Sequence, residues 1–183
     1  MNPTIAFDID GVLADVHTPW LKKYNEDYND DLDIYDIKQW EISKIVKKEC
    51  GDKILGYLNA SIYEETPPID GALEAVNIAR EFGRVIFATQ VNFDNCTGLA
   101  GVKYTWLKKH GFDPGYKNYI ECNDKGLIRA AMLIDDYEKN LYAFDGIRVI
   151  VTQPWNKTVE GFHRIENFEN FEIELSMLLT GDK

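Results

Sequence analysis

The chain has 183 residues, 45% of them hydrophobic, which is enough for one sizeable core plus a modest inserted subdomain but not for two large domains. Its formal charge of -11, from 31 acidic against 20 basic residues, opposes a polyphosphate strand or an anionic membrane surface, so polymeric nucleic acid and membrane are excluded as partners. A small anion is not excluded, because a divalent cation and one or two lysines can reverse the field inside a pocket.

The first element is an apolar strand, Ile5-Ala6-Phe7, running into Asp8-Ile9-Asp10-Gly11. In an extended strand alternate side chains share a face, which places Asp8 and Asp10 together, turns Ile9 into the core and leaves Gly11 for a sharp turn. Taken alone, an Asp-x-Asp at a strand end reads equally well as an acidic cap for the next helix. No basic region followed by an apolar one precedes the strand, and no apolar run approaches ~18 residues, so a soluble cytoplasmic protein is expected.

The stretch 16–68 is too long for one crossover. Trp20, Tyr24 and Tyr28 lie at four-residue spacing, and Ile42, Ile45, Val46, Ile54 and Leu58 mark a second helical region. The pattern predicts a mostly helical cap, tethered after Asp15 and again near Pro67-Pro68, over a core made of 1–15 and 69–183. A helix over 70–82 follows, with Leu73, Val76, Ala79 and Phe82 on one face, Asp70 as N-cap and Gly83 as stop. The strand Arg84-Val85-Ile86-Phe87-Ala88 ends in Thr89, a hydroxyl able to donate to a phosphate oxygen. Lys103 stands near the start of a helix that stops at Gly111. The apolar run 130–134 ends in a second acidic pair, Asp135-Asp136. A helix after Asp136, a strand over 147–151 and a closing helix over 168–179 complete the chain. Strands alternating with amphipathic helices predict an α/β Rossmann-like, doubly wound parallel sheet. Cys50, Cys96 and Cys122 show no metal-binding or disulfide spacing and read as reduced thiols; His17, His110 and His163 read as structural or solvated.

Strand-Asp-x-Asp, strand-Thr, Lys and strand-Asp-Asp, in that order, resemble the haloacid dehalogenase superfamily of phosphohydrolases. On that resemblance Asp8 is the nucleophile, forming an aspartyl-phosphate, and Asp10 the general acid and base. Thr89 and Lys103 grip the remaining phosphoryl oxygens. Mg²⁺ is held by Asp8, the Asp10 backbone carbonyl and Asp135, while Asp136 orients a metal water or Lys103. The segment Asp8-Ile9-Asp10-Gly11-Val12-Leu13-Ala14-Asp15 further resembles the first motif of the 5'(3')-deoxyribonucleotidase family. Tyr35 to Trp40 is similar to a cap segment of its bacterial members, Lys103 to Leu107 to the helix carrying its lysine, and Asp124-Lys125 with Leu133 to Asp136 to its last motif; the likeness runs to Trp155-Asn156. It implies a Mg²⁺-dependent 5'- or 3'-nucleotide phosphatase, with Lys125 near the substrate phosphate. Val16 stands where mammalian members place an aromatic residue against the base, and Trp20, Trp40, Tyr57 and Tyr63 offer other stacking surfaces. The partner expected is a small phosphorylated substrate, a (deoxy)nucleoside monophosphate, with self-association as a homodimer left open. A sugar phosphate substrate, or a phosphate-binding module without catalysis, are the alternatives.

Overall fold

The computed structural model describes residues 2–91 and 100–181, so Cys96 lies outside the described residues. Six short strands, β1 (Thr4–Phe7), β2 (Arg84–Thr89), β3 (Tyr119–Glu121), β4 (Met132–Asp135), β5 (Ile147–Val151) and β6 (His163–Ile165), form one sheet in the order β3-β2-β1-β4-β5-β6. Every neighbouring pair is parallel. Alternation along the strands sorts the core by face. Ile5, Phe7, Val85, Phe87, Met132, Ile134, Val149 and Val151 belong to one apolar cluster, whereas Ala6, Ile86, Ala88, Leu133 and Ile150 belong to another. Helices α3 (Ala72–Phe82), α4 (Val102–Lys109) and α6 (Phe171–Thr180) cover the first face, and α5 (Glu138–Ala143) the second. Covering both faces is what lets the inner strands be continuously apolar.

The chain winds outward from β1 to β2 and β3, then recrosses to β4, β5 and β6. The winding therefore reverses between β1 and β4, and the crevice beyond their carboxyl ends is where ligands of such sheets bind. Asp8 follows β1 and Asp135 closes β4, with the Asp8 N–H donating to the Ile134 carbonyl at 2.9 Å.

Several local expectations are corrected. The strand ends at Phe7, so Asp10 lies in a tight turn rather than on the strand: the Ile9 carbonyl accepts from the N–H groups of Leu13 and Ala14, both at 2.8 Å. Gly11 sits there at φ +71, where a Cβ would lie 2.5 Å from Asp136 Oδ2. Asp70 does not cap α3; Gly71, with a left-handed backbone, intervenes, and Leu73 turns outward. Strands β3 and β6, three residues each, were not expected.

Residues 16–68 form α1 (His17–Tyr28), α2 (Ile62–Glu65) and 3₁₀ segments at Ile34–Asp36, Ile42–Lys44 and Gly51–Tyr57. The helix expected through Ile42 to Leu58 is broken into 3₁₀ turns, with Gly51 at φ +48 between them. Trp20, Tyr24, Ile37, Ile42, Val46 and Ile54 still gather into one cluster, which Trp155 joins from outside the segment. Where the segment leaves and rejoins the sheet, the two chains are bonded: Asp15 N–H donates to Pro67 at 3.0 Å and Ile69 N–H to Leu13 at 2.8 Å, flanking an Ala14–Pro68 bridge. Among the described residues, no helix is long and apolar enough to cross a membrane.

Candidate active site

Asp8 and Asp10 face a cavity of about 360 Å³ beyond the β1–β4 crevice, and Thr89, Lys103 and Asp136 line it too. Thr89 arrives as the last residue of β2. Lys103 arrives from the first turn of α4, whose start is anchored by the Gly101 N–H donating to the Glu121 carboxylate of β3 at 2.7 Å. Its ammonium donates to the Thr89 hydroxyl at 2.8 Å and the Gln90 carbonyl at 2.6 Å, and pairs with Asp10 Oδ2 at 2.7 Å. Tyr63, on α2, donates its hydroxyl to the Asp10 carboxylate, 2.9 Å from each oxygen. Asp10 is thus held from the sheet side by a lysine and from residues 16–68 by a phenol. Tyr63 is no stacking surface, and Tyr57 points away, with its hydroxyl on Asp27 at 2.7 Å.

Beneath the cavity floor lies Lys125, fully buried, 2.6 Å from Asp8 Oδ1 and 2.6 Å from Asp135 Oδ2. It sits between the two carboxylates, next to the cavity-lining Asp8. Asp135 is otherwise satisfied by the Tyr137 N–H at 2.9 Å and the Asn140 amide at 3.2 Å. Asp136 makes no bond to Lys103; its Oδ2 accepts from the Trp155 indole at 3.1 Å, and its buried Oδ1 has no hydrogen-bond partner among the described residues. One oxygen each from Asp8, Asp135 and Asp136 fall within 4.8 Å of one another. Three buried carboxylates with one orphaned oxygen are a hard donor set that suits a divalent cation of the Mg²⁺ type.

Burial pushes Asp8 up, Lys125 pulls it back and Asp135 pushes it up again, leaving its pKa at about 6. Burial, then the neighbouring Asp135 charge, holds Asp136 well above the carboxylate range. Burial alone would lower Lys125, but the Asp135 and Asp8 charges outweigh it and keep the ammonium charged. An acid whose pKa is raised on folding binds more protons folded than unfolded, so its contribution to stability falls as pH rises from its unfolded value toward its folded one. For Asp8 that window runs from about pH 4 to 6. The melting temperature in EDTA is therefore expected to fall between pH 4.5 and 6.5, and the stabilisation by added Mg²⁺ to be larger at pH 7 than at pH 5. The surface carboxylates Asp27, Asp30 and Glu41, all lowered by hydrogen-bonded partners, act below that window. A melting temperature that rose steadily through it would contradict the assignment.

The rest of the cavity lining is largely apolar and aromatic, with Val16, Trp20, Ile37, Trp40 and Trp155 among it. Trp40, 42% exposed, stacks on Tyr137 with centroids 3.9 Å apart. Trp20 reaches the wall, yet its indole is committed to the Ile54 carbonyl at 2.8 Å and its ring is core. Val16 and His17 line the same wall, so His17 belongs to the site rather than to solvated surface; burial lowers its pKa to about 4 and keeps the ring neutral. Sequence reasoning missed Asn140 and Trp155, named Tyr63 only as a stacking surface, and took His17 as structural or solvated. For Trp155 a signal existed, in the Trp155-Asn156 pair that closed the family likeness.

The family model described as 5' nucleotidase, deoxy (pyrimidine), cytosolic type C protein matches residues 2–178. The chain is 31% identical over 171 residues to the 5'(3')-deoxyribonucleotidase of Clostridium acetobutylicum, covering 91% of each chain. It is 26% identical over 176 residues to that of Bacillus subtilis strain 168, covering 96% of this chain and 99% of the other. Among solved structures, a haloacid dehalogenase-like protein from Agrobacterium tumefaciens superposes with a TM-score of 0.67 at 13% identity, covering 98% of this chain and 100% of the other. A magnesium-bound haloacid dehalogenase hydrolase from Bacillus subtilis gives 0.58 at 15% identity, covering 95% and 98%.

Proposed function

Because the chain belongs to the deoxyribonucleotidase family of haloacid dehalogenase phosphoric monoester hydrolases, we propose that it hydrolyses (deoxy)nucleoside monophosphates through an aspartyl-phosphate on Asp8. The observation that carries the reading is one cavity lined both by Asp8, Asp10, Thr89 and Lys103 and by the rings of Trp20, Trp40 and Trp155. A nucleotide is a ligand of that shape, with a phosphate to be gripped and a base to be stacked.

In the first step an Asp8 oxygen attacks phosphorus, the phosphorus–ester oxygen bond breaks, and Asp10 gives its proton to the departing nucleoside oxygen. In the second, Asp10 takes a proton from water, the water oxygen attacks phosphorus, and the bond to Asp8 breaks to release inorganic phosphate. Thr89 and Lys103 hold the equatorial oxygens; Lys103 can turn from Asp10 to phosphate because both lie on the same cavity wall. Tyr63 keeps Asp10 over the reacting centre. Asp8, Asp135 and Asp136 are the residues that would hold Mg²⁺, which when bound offsets negative charge between nucleophile and phosphoryl group. Lys125 keeps Asp8 and Asp135 side by side as carboxylates. Residues 16–68 serve as the cap over the core of 1–15 and 69–183, bringing Tyr63, Trp20 and Trp40 to the site and excluding water.

The test is phosphate release with Mg²⁺ from a panel of deoxynucleoside 5'- and 3'-monophosphates beside 2-deoxyribose 5-phosphate. The specificity constant for the best nucleotide should exceed that of the sugar phosphate at least about tenfold, since removing the base discards binding available to the transition state. Equal values would assign the site to sugar phosphates, and no release from any substrate would leave a binding module.

A further inference from the structure

Trp155 stands where three parts of the molecule meet. Its indole N–H donates to Asp136 Oδ2 at 3.1 Å, its ring lies 4.3 Å from His17 and edge-on to Trp40 at 6.2 Å in the cavity wall, and its other contacts complete the apolar cluster of residues 16–68. The turn that carries it, Pro154–Asn156, is fixed on several sides. Gln153 donates to the Gly11 carbonyl at 2.7 Å, and the Asn156 amide donates to the carbonyls of Asp136 and Val151, both at 2.8 Å. Arg164 of β6 in turn clamps Asn156 and Val159. An indole in so braced a turn cannot swing away without loosening the backbone beside it.

The consequence is asymmetric for Asp136. One oxygen is tied to the indole and the other is buried without a hydrogen-bond partner among the described residues, while the carboxylate as a whole joins the 4.8 Å cluster with Asp8 and Asp135. Carboxylates that hold metals are oriented by such outer hydrogen bonds, and losing one typically weakens the metal about 10–100-fold. We propose that Trp155 is a positioning residue that fixes which oxygen of Asp136 faces Mg²⁺, from a ring that also lines the cavity. This rests on the reading of the site as a Mg²⁺-dependent nucleotidase.

Trp155→Phe keeps a ring in the wall and deletes only the donor. Calorimetric titration with MgCl₂ alone should give a dissociation constant raised at least about tenfold over the wild type. In an Asp136→Ala background the same substitution should weaken Mg²⁺ no further, because its effect passes through that carboxylate. Melting temperatures in EDTA establish that each variant is folded. Unchanged Mg²⁺ affinity in Trp155→Phe, or an equal further loss in the Asp136→Ala background, would overturn the proposal. A wild-type protein that neither binds Mg²⁺ nor hydrolyses nucleotides would instead undo the functional reading beneath it.

Discussion

Asp8→Asn is expected to lower nucleotide hydrolysis by at least about 10⁴-fold, or about 5.5 kcal/mol of transition-state stabilisation, while leaving the melting temperature within a few degrees of the wild type. Activity goes because an amide oxygen is a poor nucleophile toward phosphorus and no other side chain occupies its place: Asp10 is turned toward Tyr63 and Lys103, and Asp135 lies off the cavity wall. Stability stays because asparagine has the same shape and its carbonyl can still accept the Lys125 bond, now 2.6 Å long. The change even relieves the crowding of three buried carboxylates. Phosphate release over the nucleotide panel and thermal melts in EDTA check the two halves separately. Retention of more than about a tenth of the activity would remove Asp8 as the nucleophile.

The second large effect is on stability. Lys125→Met should cost about 3–5 kcal/mol in metal-free buffer at pH 7.5, because it takes the single cation from between Asp8 and Asp135 and leaves buried carboxylates uncompensated. For a chain of this size that is a drop of roughly 6–20 °C in melting temperature. An exposed pair such as Lys23–Asp27, at 3.3 Å, contributes only a few tenths of a kcal/mol, since water screens both partners. Proximity is similar; burial decides the difference. The loss should shrink at pH 5, where Asp8, with its pKa at about 6, takes up a proton, and Mg²⁺ should restore more stability to the variant than to the wild type. A variant that melted with the wild type at pH 7.5 in EDTA would show that Asp8 and Asp135 are not held charged beside Lys125.

The inner strands were legible because their apolar runs are flanked by chemistry: β1 and β4 each end in acid and β2 ends in threonine. The outer strands were not, since Tyr119–Glu121 and His163–Ile165 are too short to show a period and owe their conformation to the strand beside them. The second helical stretch failed for a related reason: Ile42, Val46 and Ile54 bury apolar surface as a helix face would, yet the chain reaches that cluster through 3₁₀ turns. At the site, Asp8, Asp10, Thr89, Lys103 and Asp136 could be named because each ends or begins a readable element. Tyr63 could be named only as a stacking surface, since its partner Asp10 is 53 residues away and nothing local points to that bond. Trp155 was hidden likewise, an aromatic in a turn whose meaning lies in the carboxylate it meets.

The paired crossing at Ala14 and Pro68 has a bearing beyond this chain's own chemistry. Since the outgoing and returning backbones are stitched together at the rim of the sheet, the segment between them enters and leaves through one closed neck. On the reading of that segment as a cap, an exchange made at the neck should leave the sheet and its carboxylates in place. Tyr63 travels with the segment, so a replacement would have to bring its own phenol to Asp10 if only the choice of substrate is to change.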